Sequence, residues 1–91
     1  MITQTMIPSL NPMFRFQWEQ AQDCFVLLFP EGMVKLNGAA GEIMQLVDGK
    51  RSVLLIINDL LAKYPEAGDL SDDVKEFMTT AIQKKWLYDD K

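Results

Sequence analysis

The pattern sharpens at Phe14. From there Phe14, Phe16 and Trp18 alternate with Arg15, Gln17 and Glu19, the period-two signature of a half-buried strand. A polar stretch, residues 19–23, makes the first turn. Residues 24–29, CFVLLF, are apolar on both faces. They fit the middle strand of a small sheet, covered by helices on one side and partly on the other. Pro30-Glu31-Gly32 follows as a corner, where Pro presets φ and Gly accepts a positive φ. Residues 33–36 return as a third strand.

Asn37 then changes the pattern to helical. Its side chain can accept from the free amides of a first helical turn. Ala40, Ile43, Met44 and Val47 fall at i, i+3, i+4 and i+7, one helix face. Gly38 and Gly41 weaken that helix, and Gly41 offers room for a close neighbour. Gly49 suits the position just past a helix end. Ser52 caps a second helix whose Val53, Ile56, Ile57, Leu60, Leu61 and Tyr64 share a face, widened by Leu54 and Leu55. Tyr64-Pro65 stops it. Asp69 or Ser71 caps a third helix, with Asp72 and Asp73 at its positive end. Its stripe is Val74, Phe77, Met78, Ala81, Ile82 and Trp86, and Lys84 and Lys85 sit in its last turn. The order is β-β-β-α-α-α: an α+β fold with a three-stranded antiparallel sheet and three helices packed on one side, since such a sheet cannot cover both faces itself. Residues 1–13, with Pro8 and Pro12, read as an extended or mobile N-terminal arm, 14–88 as a single domain, and 89–91 as a polar tail.

Composition narrows the chemistry. The 91 residues make one domain, 48% hydrophobic and 24% charged, with net charge −4. That sign argues against nucleic acid as the main partner, because phosphate contacts need clustered Lys and Arg. The chain has no His and a single Cys24, so the commonest general base, the commonest metal ligand and an internal disulfide are all absent. No Gly-rich phosphate loop or nucleophile elbow occurs. The adjacent carboxylates that could form an acid/base pair, Asp72-Asp73 and Asp89-Asp90, sit at a helix start and in the tail. Neither catalysis nor a cofactor or metal is expected. The opening residues lack a signal peptide's basic start and apolar core, and the run 53–57 is too short for a membrane span. A reduced, cytoplasmic location is expected.

Two non-catalytic readings remain. A winged helix could bind DNA, but the third helix mixes Asp72, Asp73, Lys75, Glu76, Lys84 and Lys85 and offers only Gln83 to read bases. A peptide-binding module fits better. Residues 33–36 form an edge strand, whose unpaired main-chain groups can accept another strand. Phe77, Met78, Ile82 and Trp86 are also more apolar surface than one helix of so small a domain need bury.

The stretch FRFQWEQAQDCFVLLFPEGMVKLNGAAGEIMQLVDGKRSV resembles the PqqD family. The matching marks are Phe14-Arg15, Gln17-Trp18-Glu19, Ala21-Gln22-Asp23, the corner from Leu27 to Gly32, Leu36-Asn37, Glu42-Ile43, Asp48-Gly49 and Ser52. The likeness runs from about Phe14 to Trp86. Gly38-Ala39-Ala40-Gly41 departs from the helix-favouring residues usual in that family.

The resemblance implies a winged-helix-like RiPP recognition element and peptide chaperone of pyrroloquinoline quinone biosynthesis. It would bind the precursor peptide PqqA and present it to the radical SAM enzyme PqqE. It also implies that the peptide lies as an added strand beside the third strand and against the third helix. On this chain the peptide-binding residues are then Met33, Val34, Lys35, Leu36 and Asn37, with Val74, Phe77, Met78, Ala81 and Lys85. Val34 and Leu36 are expected to face the helices, leaving Lys35, with Lys85, to meet an acidic residue of the peptide. The short hinge 49–51 allows a monomer or a domain-swapped dimer.

Overall fold

The computed structural model describes residues 2–89. Its elements run β1 (Pro8–Leu10), β2 (Arg15–Glu19), β3 (Cys24–Phe29), β4 (Gly32–Lys35), α1 (Gly38–Met44), α2 (Val53–Lys63), a 3-10 turn (Pro65–Ala67), α3 (Ser71–Gln83) and β5 (Leu87–Asp89). The expected three strands and three helices are present in the expected order.

The main sheet is antiparallel, in the order β2-β3-β4. β3 is central, and its register sets Leu27 between Phe16 and Val34. Phe16, Phe25, Leu27, Val34 and Leu36 belong to the helix-packed core cluster. Val26 points the opposite way along β3. It is fully buried yet outside that cluster, with Gln17 and Lys35 directly opposite it. The helices supply Ile43 and Met44, then Val53, Ile56 and Leu60, then Val74, Met78 and Ala81.

Local chemistry explains the helix starts. Asn37 caps α1, its Oδ1 accepting from Ala40 N–H at 2.8 Å. Ser52 caps α2, its Oγ accepting from Leu55 N–H at 3.2 Å. At α3 the expected cap by Asp69 or Ser71 is not formed: Leu70 holds the N-cap position without a side-chain cap bond, and the Asp69 carboxylate before it accepts from the Ser71 amide at 2.9 Å and from the Ser71 hydroxyl.

Several expectations change. The corner is shorter than Pro30-Glu31-Gly32, because Gly32 pairs with Phe29 and belongs to β4. Its place needs no positive φ; the Phe29 ring lies 3.6 Å from where a Cβ would be. α1 ends at Met44, so Val47 lies beyond it, and Gly49 (φ 76°) shapes the following turn instead.

The N-terminal residues, expected as an extended or mobile arm, are paired into the rest of the chain. Pro8–Leu10 pairs with Leu87–Asp89, Ser9 opposite Tyr88. Asn11 N–H donates to Trp86 C=O at 2.9 Å, and the Met6 and Gln4 carbonyls accept from Val53 N–H at 2.8 Å and Leu54 N–H at 3.0 Å. Free amides at the start of α2 and apolar Pro8 and Leu87 together hold this segment in place. Of the expected polar tail, Asp89 is in β5, and residues 90 and 91 lie outside the described residues.

α3 also stops earlier than its apolar stripe. Lys85 adopts φ 65°. Trp86 N–H donates to Ala81 C=O at 2.9 Å and Lys85 N–H to Ile82 C=O at 3.0 Å. This is a Schellman stop with Lys where Gly is usual. Lys84 and Lys85 therefore follow the helix, and Trp86 leads into β5.

Candidate functional site

Nothing pairs with the outer side of β4 among the described residues. Which groups that edge offers follows from the ladder. Leu36 N–H donates to Phe25 C=O at 3.0 Å, and the register continues through Val26 with Lys35 and Leu27 with Val34. Hydrogen-bonded and non-bonded pairs alternate along an antiparallel ladder. Gly32, Val34 and Leu36 thus turn their main-chain groups toward β3. Met33 and Lys35 turn theirs to the open edge.

The side chains alternate the other way. Leu36 is buried and Val34 half-buried against the core, while Met33 is 40% exposed and Lys35 is exposed. The pair expected to face the helices does so.

Beside this edge runs a groove of about 570 Å³. One wall is Lys35, Leu36 and Asn37, continued by Ala39, Ala40 and Ile43 of α1. The other wall is α3, through Asp73, Glu76, Phe77 and Thr80, and Trp86 adds to the lining. The α3 residues are spaced i, i+3, i+4, i+7, a single helical face.

That face is not the one the apolar stripe suggested. Val74, Met78 and Ala81 are core residues, exposed by 1%, 0% and 0%. They support the wall from behind, and none of them lines this groove. Phe77, shared by the two faces, is half-buried and lines the groove. Its ring sits 6.3 Å from that of Trp86. Lys85 lies outside the groove lining, its carbonyl taken by the Asn11 side-chain amide at 2.8 Å. Sequence reasoning missed Asp73, Glu76 and Thr80. The signal for them was the polar face that borders the apolar stripe at Phe77.

The groove can do two things chemically. Its edge can donate and accept main-chain hydrogen bonds, and its floor of Leu36, Ile43 and Phe77 can take apolar side chains. Its charged groups are Lys35 against Asp73 and Glu76. Neither carboxylate joins an ion pair among the described residues. Carboxylates along the exposed side of α3 carry the wrong sign for a phosphate backbone. No helix among the described residues is long and apolar enough to cross a membrane.

Comparison with known proteins bears on the family and the fold. The PqqD family, coenzyme PQQ synthesis protein D, matches residues 24–87. A PqqA binding protein of Kluyvera intermedia is 51% identical over 82 residues, covering 90% of this chain and 89% of that protein. A PqqA binding protein of Stutzerimonas stutzeri (strain A1501) is 48% identical over 86 residues, covering 94% of each. Among solved structures, the PqqD truncation of Methylobacterium extorquens PqqCD superposes with a TM-score of 0.80 at 25% identity, covering 97% of this chain and 95% of that one. It is described as a functional, stand-alone RiPP recognition element. PqqD from Xanthomonas campestris superposes with a TM-score of 0.57 at 35% identity, covering 97% and 99%.

Proposed function

The chain belongs to the PqqD family, and we propose that it binds the precursor peptide PqqA by strand addition along β4 and presents it to the radical SAM enzyme PqqE. The observation that carries this reading is the open edge of β4, with the Met33 and Lys35 main chains turned outward beside a groove of about 570 Å³. Each of those residues offers one donor and one acceptor. A peptide paired there gains main-chain hydrogen bonds whatever its sequence. Alternate side chains then drop toward Leu36 and Phe77 and supply selection.

Charge adjusts that selection. Asp73 and Glu76 favour a basic side chain on the helix side of the peptide, and Lys35 favours an acidic one at the edge. Exposed pairs of this kind are worth about 0–1 kcal/mol, so they tune the choice and do not dominate affinity.

Lys35→Pro tests the reading. The Lys35 N–H faces outward, so its loss spares the β3 ladder while removing a donor from the edge. Calorimetry with PqqA should show weakened binding by Lys35→Pro and native-like binding by Lys35→Ala. Unchanged affinity for Lys35→Pro overturns strand addition at β4. Titration of PqqE with the protein, alone and with PqqA bound, tests presentation; no complex in either arm overturns it.

A further inference from the structure

A second cavity, of about 290 Å³, opens between α1, the end of α2, the 3-10 turn and the start of α3. Its floor is core: Ile43, Leu60 and Val74 are exposed by 4%, 4% and 1%. Leu70 and Tyr64 wall it, and Tyr64 is 43% exposed.

Local sequence explains the opening. Tyr64-Pro65 ends α2, and Gly68 at φ 78° carries the chain away from the helix. The loop therefore passes beside the floor without filling it. Ala67, a small exposed residue, forms part of the lining.

This cavity joins the groove beside β4. Ala39, Ile43 and Asp73 line both. Followed along α3 toward its start, the groove gives way to the second cavity at the shared residues Ala39 and Asp73. The character changes at that point. The groove is edged by Lys35, Asp73 and Glu76, while the cavity is apolar apart from Glu42 and Asp73. Glu42 is already paired with Lys63 at 2.7 Å.

We propose that the peptide held on β4 is anchored a second time, by a large aliphatic or aromatic side chain set into the cavity of Ile43, Leu60, Tyr64 and Leu70. The anchor belongs to the part of the peptide that runs on beyond the paired strand, at the Asn37 end of β4. This inference rests on the strand-addition reading for its occupant. The continuity of the two cavities selects that occupant over an unrelated ligand. An apolar pocket with a core floor at the end of a polar-edged groove is also where binding energy concentrates, around one buried anchor. Specificity then comes from a residue outside the paired strand, at a fixed distance from it.

Ala67→Trp and Lys35→Pro separate the two ideas. Ala67 is exposed, so the larger side chain can fill the cavity without entering the core. Calorimetry with full-length PqqA is expected to show about tenfold weaker binding to Ala67→Trp, the scale of losing one well-buried anchor. PqqA shortened stepwise from each end should reach a length that binds native protein and Ala67→Trp equally. Equal affinity of the two proteins for full-length PqqA overturns the anchor. If Lys35→Pro weakens binding and Ala67→Trp does not, the anchor fails and strand addition stands. If the reverse holds, strand addition fails and the cavity stands. A measurement on native protein guards against a folding defect: PqqA should shift the methyl NMR signals of Ile43, Leu60 and Leu70, and unmoved signals at saturation overturn the proposal.

Discussion

Gly41 lies against the ring of Phe25, so closely that a Cβ on the glycine would stand 3.0 Å from Phe25 Cδ2. The ring has little freedom to give. It stacks on Phe16 at 4.8 Å and takes the edge of Trp18 at 5.1 Å. Gly38, by contrast, has nothing within 4 Å of its missing Cβ. Replacing glycine by alanine in a helix gains up to about 1 kcal/mol, and overpacking costs about 1–3 kcal/mol. Gly41→Ala should therefore lower stability by about 1 kcal/mol, and Gly38→Ala should raise it by about 0.5 kcal/mol. Urea unfolding of the two variants checks the opposite signs.

The stop of α3 gives a second contrast. Lys85 holds a left-handed conformation (φ 65°) in the Schellman turn. A side chain there costs about 1–2 kcal/mol that glycine avoids. Its own groups contribute little in return, because the bond from Asn11 is to the Lys85 carbonyl, which glycine keeps. Lys85→Gly is expected to raise the melting temperature, by an amount matching about 1 kcal/mol. A fall would mean that the lysine side chain makes contacts that matter.

What could be read from the sequence divides along physical lines. The strand β2 and the helix α2 were legible because each carries several repeats of one hydrophobic period, and β3 because it is a short unbroken apolar run bounded by turn residues. Asn37, Ser52 and Pro65 marked boundaries by chemistry that acts within a turn. The pairing of β1 with β5 was not legible. Each strand has three residues, too few for a period, and Pro8 meets Asp89 from the far end of the chain. The end of α3 was hidden because lysine stands where glycine would have signalled it. In the groove, the edge strand could be read from the strand count, but the wall could not. An apolar stripe shows which residues avoid water. It does not separate Met78, fully covered by the core, from Phe77, one residue before it and open to the groove.

The N-terminal segment should behave as part of the fold. Asn11 reaches the C-terminal end of α3 through its side-chain bond to Lys85 C=O and its N–H to Trp86 C=O. Asn11→Ala keeps the second bond and loses the first, together with the one its Oδ1 accepts from Met13 N–H at 2.9 Å, at an expected cost of about 1–2 kcal/mol. Hydrogen exchange provides an independent check. The amides of Val53 and Leu54 would be free at the start of α2 if Met6 and Gln4 did not accept from them. Both should exchange slowly in native protein, and quickly after residues 1–11 are removed. Fast exchange in the intact chain would show the segment detached.

Acid should weaken the fold through three surface carboxylates. The Ser71 hydroxyl and amide hold Asp69 below its ordinary value of 3.8. The amides of Arg51 and Lys50 do the same for Asp48, and Lys63 does it for Glu42, whose ordinary value is 4.5. A carboxylate with a lowered folded pKa stabilises fully above its unfolded value and stops doing so as pH falls through the folded one. The melting temperature should thus hold steady from neutrality down to about pH 5 and decline below it. Asp69→Asn and Asp48→Asn should each flatten the decline. Lys63 is raised above 10.5 by Glu42, so its share persists until strongly alkaline pH. These groups all lie at the surface, and salt should shrink the slopes.

Phe77 and Met78 are adjacent in sequence and should fail in different ways. Met78 is fully buried behind the groove wall. Met78→Ala leaves a cavity and should cost about 2–5 kcal/mol of stability, a loss large enough to unfold part of the sample. Phe77 is half-buried, lines the groove and leans on Trp86. Phe77→Ala should cost less stability, since part of its ring already faces water, and should cost more affinity for PqqA. Phe77→Leu should restore most of the stability but only part of the binding, because it keeps apolar volume without the flat face. The check is a pair of measurements on each variant, urea unfolding and calorimetry with PqqA below the melting transition. If Phe77→Ala lost stability as Met78→Ala does and kept native affinity, Phe77 would be one more core residue, and the peptide's contacts would have to lie on the β4 side of the groove.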